Sequence, residues 1–90
     1  MVKLVEVHKS ISGYHLGEIY INPKHVVAMR QDDKMTRVLR EGSLPELDER
    51  QSFTKLYVDR GHTGIDITVV GDLQHIKEKL GLNKKTLLKG

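Results

Sequence analysis

Residues 54–80 read TKLYVDRGHTGIDITVVGDLQHIKEKL. Leu56 and Val58 alternate with polar neighbours, and so do Ile65, Ile67 and Val69. A period of two marks half-buried strands. Between them, Gly61 and Gly64 supply positions where φ > 0 costs nothing, so the chain turns back on itself. Gly71-Asp72 ends the second strand and opens a helix. Asp72 can accept bonds from the first free N–H groups, and its charge suits a helix N-terminus. Leu73, Ile76 and Leu80 form one apolar stripe, Lys77 and Lys79 sit where positive charge is favoured, and Gly81 suits a left-handed cap. A hairpin followed by a covering helix makes the chain a small β-rich α+β domain.

The rest of the chain adds strands. In residues 2–9, Val2 and Leu4 fall on one face and Val5 and Val7 on the other. That requires a bulge near Leu4-Val5 or burial on both faces. Ser10 to Gly17 reads as a turn or wide loop, and Glu18 to Ile21 as a short strand. Asn22-Pro23 breaks it, because proline lacks an N–H and restricts the residue before it. Val26 to Met29 resumes as a strand, Gln31 to Lys34 turns, and Met35 to Leu39 reads as a further strand. Residues 40–52 contain Gly42 and Pro45 and are polar, so they form a long inserted loop. Leu44 and Leu47 either tack this loop to the body or present it to a partner. The expected architecture is four to six mostly antiparallel strands, as a sheet or an SH3-like barrel, with one C-terminal helix. Residues 1–82 form the domain and 83–90 a basic tail.

Ninety residues and no cysteine bound the chemistry. Disulfides and thiolate metal sites are excluded, which suits a reducing cytoplasm. No apolar stretch approaches the roughly 20 residues of a membrane span. Glu6 and His8 interrupt the apolar run a signal peptide needs. A soluble, cytoplasmic protein without membrane contact is expected. The net charge is +3, and residues 77–90 carry five lysines against Glu78. The basic excess therefore belongs to the C-terminus.

Candidate chemistry is sparse. His8, His15, His25, His62 and His75 show no metal-ligand spacing. Ser10, Ser12, Ser43 and Ser52 lie in no nucleophile elbow. Asp32-Asp33 lack the further acidic ligands of a calcium loop. Gly61-His62-Thr63-Gly64 precedes a strand, without the helix N-terminus that would cradle phosphate. No catalytic, cofactor or metal residue is assigned. Nucleic-acid binding needs basic residues beside aromatics. Lys55 and Tyr57 share one strand face, and Lys84 and Lys85 lie in the tail.

One segment, Ile19-Tyr20-Ile21-Asn22-Pro23-Lys24-His25-Val26-Val27-Ala28-Met29, resembles a step in the FlbD/SwrD-like small proteins, relatives of which occur in phage genomes. There too a strand ending in Asn leads to a second apolar run. A threonine-containing strand, a glycine turn, a further strand and a C-terminal helix then follow. Thr54–Val58, Gly61–Gly64, Ile65–Val69 and Asp72–Leu80 match those parts. Residues 35–53 and the lysine tail have no counterpart. The resemblance implies a small, non-enzymatic accessory or regulatory protein that works by contact.

The expected function is a non-catalytic intracellular adaptor or regulator that binds a protein. Arg40, Leu44, Leu47 and Arg50 of the inserted loop are its candidate contacts, with an open strand edge as a second surface. Edge pairing with a second copy would give a symmetric homodimer. The alternative is a nucleic-acid-binding regulator that uses Lys55, Tyr57, Lys84 and Lys85.

Overall fold

A computed structural model describes residues 1–59, 61 and 63–81. The expectations on Arg60 and His62, and on the tail with Lys84 and Lys85, lie outside the described residues. The elements are β1 (Val2–Ser10), β2 (Gly13–Ile21), a 3-10 turn (Pro23–His25), β3 (Val26–Gln31), α1 (Asp33–Arg40), β4 (Phe53–Asp59), β5 (Gly64–Val70) and α2 (Leu73–Lys79). The strands form one antiparallel sheet in the order β2-β1-β5-β4-β3. The chain is thus a small α+β fold.

Connectivity dictates the shape of this sheet. Its edge strands, β2 and β3, are joined through Asn22–His25 alone. In a flat five-stranded sheet they would lie about 19 Å apart sideways, at roughly 4.8 Å per strand. The register also puts Ile21 and Val26 at opposite ends of the sheet. Five extended residue steps reach only about 17 Å. The sheet must therefore coil until its edges approach, and one core cluster draws on all five strands. Leu4, Ile21, Leu56, Ile67 and Val69 pack there with Ile76 and Leu80, against Val26 and Met29.

α2 closes this inner core as the sequence predicts. The Asp72 carboxylate accepts from His75 N–H at 2.7 Å. Ile76 and Leu80 are buried, and Gly81 takes φ +73° to end the helix. Gly71 has the tightest surroundings. Its φ is +130°, and an added Cβ would lie 2.9 Å from Ile76 Cδ1. Its N–H donates to Ser52 O at 2.8 Å, and its carbonyl accepts from the buried Thr54 hydroxyl at 2.9 Å. Gly71→Ala is expected to cost about 1–3 kcal/mol. Chemical denaturation reads this as a lower midpoint with an unchanged slope.

One local expectation is corrected and two open alternatives are resolved. Residues 35–39 are helical, not extended. Asp32 caps the helix by accepting from Met35 N–H at 3.0 Å, and Met35, Val38 and Leu39 recur at helical spacing. At its far end Gly42 takes φ +85°, with Gly42 N–H on Leu39 O and Ser43 N–H on Val38 O. This double bond pattern ends a helix at glycine. Ser10 to Gly17, which reads as a turn or wide loop, holds a tight turn at Ile11-Ser12, and its remainder from Gly13 on belongs to β2. Ser10 pairs with Gly13, and Gly13 supplies the positive φ of +122°. The β1–β2 register then runs unbroken from Val2–Ile21 to Ser10–Gly13, so Leu4-Val5 carries no bulge. The other reading of β1, burial on both faces, holds at Leu4 and Val7, while Val5 stays exposed. Leu4 faces the inner core, while Val7 joins Leu39, Leu44 and Phe53 in a second cluster beneath α1. The register shift falls on β3, between Val26 and Ala28.

Candidate binding face

The inserted loop is tacked down. Leu44 is 1% exposed, in the cluster under α1, and Leu47 packs against that cluster. Leu44 is therefore a core residue and has no surface to offer a partner. Arg40 and Arg50 remain exposed. Arg50 Nε lies 3.5 Å from Asp48 Oδ1, with both side chains largely in solvent, so the pair contributes little.

The sheet's outer face is a better-formed surface. α1 and the loop cover its lower part, where Val7, Val70 and Phe53 lie. Beyond them the face stays open. The register aligns one row across it: Tyr14 opposite Lys9, Asp66 opposite Tyr57, and Tyr57 opposite Ala28. β1 and β5 pair only at Glu6–Val69 and Val7–Thr68, and extending that register sets Lys9 opposite Asp66. The adjacent row holds Thr68, Lys55 and Arg30. Lys55 and Tyr57 do share a face, as their spacing predicts. The Arg30 guanidinium sits 5.6 Å over the Tyr57 ring, and the Lys9 ammonium 5.8 Å over Tyr14.

Two grooves adjoin at Asp66. One, of about 570 Å³, lies at the turn end of the β4–β5 ladder and is lined by Val27, Tyr57, Asp59, Ile65 and Asp66. Val27 stands at the β3 register shift and is 67% exposed. The second, of about 440 Å³, runs beside α1 between Lys9, Tyr14, Lys34, Met35, Val38 and Lys55. Asp32 and Thr68 are on its floor. Both are buried, and the Thr68 hydroxyl donates to Asp32 Oδ2 at 2.6 Å. Asp32 thus has both carboxylate oxygens engaged, one by the helix and one by the sheet.

Away from this face, His15 and His8 make local contacts. His15 Nε2 lies 2.9 Å from the Ser10 hydroxyl and 3.0 Å from that of Ser12, tying the β1–β2 turn. His8 meets Glu6 at 3.3 Å. Among the described residues no three His, Asp or Glu side chains are grouped to hold a metal ion. No described helix is long and apolar enough to cross a membrane. Both sheet edges, β2 and β3, are exposed to pairing, although a bulge such as that at Val27 twists an edge away from a partner strand. Comparison with family models, curated proteins and solved structures finds no match to this chain.

Lys9, Tyr14, Arg30, Lys34 and Asp66 also line this candidate face, and the sequence alone does not single them out. Asp66 was within reach, since a Tyr57–Asp66 pair follows from aligning the two strands about their turn. Lys9 and Tyr14 were hidden by reading their hairpin as a loop, and Lys34 by reading α1 as a turn and a strand.

Proposed function

We propose that this chain is a small, non-catalytic adaptor or regulator that binds a protein partner in the cytoplasm. The observation that carries this reading is the groove where Val27 and Ile65 stand exposed beside a half-buried Tyr57, with Asp59 and Asp66 on its lining. Apolar area with a charged rim is the composition of a protein contact. Charge balance supports a protein over a polyanion. Lys84, Lys85 and Lys89 account for the whole net charge of +3, so residues 1–81 are neutral. A neutral domain lacks the long-range field that gathers nucleic acid. The resemblance to small accessory proteins of the FlbD/SwrD-like type agrees with action by contact.

Affinity capture from nuclease-treated lysate of the source organism tests this. A protein retained by the wild type and by Arg40→Ala/Arg50→Ala, but lost with Val27→Glu, supports the groove. Loss with the arginine pair alone moves the contact to the 40–52 loop. Recovery of nucleic acid alone, from untreated lysate, overturns the protein reading. The nucleic-acid alternative has Lys55 beside Tyr57 in its favour. Its binding would fall steeply with salt as counterions are released, and Lys84→Gln/Lys85→Gln would flatten that slope.

A further inference from the structure

We infer that the groove beside α1 is a binding site for a small anionic ligand with a flat ring, of the nucleoside phosphate class. Lys9, Lys34 and Lys55 come from three different elements, β1, α1 and β4, and line the same groove. Among the described residues none of the three is in an ion pair. Like charges gathered this way repel one another, and nothing in the fold requires the gathering. Two aspartates border the site. Asp32 is buried, with its oxygens taken up by Met35 N–H and the Thr68 hydroxyl. Asp66 lies on the rim shared with the neighbouring groove. Asp32 keeps its charge and Asp66 stands opposite Lys9 in the extended register, so the three lysines of the groove exceed its two aspartates by one positive charge, which is left to an outside anion. Tyr14, Met35 and Val38 give the same groove an apolar wall against which a ring can lie. Its volume of about 440 Å³ falls within the ~300–1,000 Å³ of small-molecule clefts.

This site meets the apolar groove proposed for a protein at Asp66, but its lysines lie outside that groove, so either reading can fail alone. A phosphate with a base attached comes from a free nucleotide or from one unit of a single strand. The test is titration of the whole chain with ATP, adenosine, inorganic phosphate and an oligodeoxythymidine, followed by amide shifts in α1, β1 and β4. ATP is expected to bind with Kd below about 1 mM, and adenosine and phosphate each at least about tenfold more weakly. Tighter binding of the oligonucleotide, with a steep salt slope, assigns the same chemistry to a strand. Lys34→Glu is the decisive variant. A glutamate in the first turn suits the helix N-terminus, so melting is expected to hold or rise. Its ATP affinity is nonetheless expected to drop by about tenfold, as is that of Lys55→Gln, while Arg50→Gln leaves it unchanged. Equal binding of phosphate and ATP, full affinity in Lys34→Glu, or no saturable shift with ATP overturns the assignment.

Discussion

Ile76→Asp is expected to abolish the cooperative unfolding transition. Ile76 is 1% exposed and lies in the inner core with Leu56, Val69 and Leu80. Removing it forfeits about 1.5–3 kcal/mol of burial. Setting a carboxylate among apolar side chains costs several kcal/mol more. A domain of this size holds roughly 5–13 kcal/mol in total. Those losses consume most of it. Circular dichroism on heating should show a shallow slope without a midpoint, and amide resonances should collapse into the unfolded range. Ile76→Leu conserves volume and should cost less than about 1.5 kcal/mol. Wild-type melting of Ile76→Asp would remove α2 from the core.

Asp32→Ala is expected to cost about 1.5–5 kcal/mol. The substitution removes the cap of α1, worth roughly 0.5–2 kcal/mol. It also leaves the buried Thr68 hydroxyl without its acceptor, worth about 1–3 kcal/mol. Through two hydrogen bonds the side chain ties the N-terminus of α1 to strand β5. Denaturation of Asp32→Ala, Thr68→Val and the double variant separates the two losses. The double variant should lose less than the sum, because an apolar pair strands no polar group. Full additivity would mean that the Asp32–Thr68 hydrogen bond carries no stability of its own.

Much of the fold was legible where local and global preferences agree. Leu56, Val58, Ile67 and Val69 alternate because β4 and β5 each bury one face in the inner core. Asp72, Ile76, Leu80 and Gly81 behave in the helix as their chemistry requires. Reading failed where one segment supports two periods. Val38-Leu39 is an apolar pair that suits a strand, yet Met35 three residues before Val38 completes a helical stripe under the Asp32 cap. β1 left two readings open for another reason. Burial on both faces erases alternation, and a regular strand then looks bulged. The binding face was half visible. Lys55 and Tyr57 share a strand, but Lys9 and Lys34 reach the same groove only through the β1–β5 neighbourhood and α1. No local pattern encodes that proximity.

The β1–β5 seam sets an order of events during synthesis. Glu6 and Val7 must wait for Thr68 and Val69, although β2 is complete by Ile21. A nascent chain on the ribosome therefore holds the first hairpin, with Leu4 and Val7 uncovered, until β5 emerges. Contacts so distant in sequence are slow to close. Truncation before Gly64 should leave a sticky fragment that chaperones retain, whereas release after Leu80 lets β5 join the two halves of the sheet over their core.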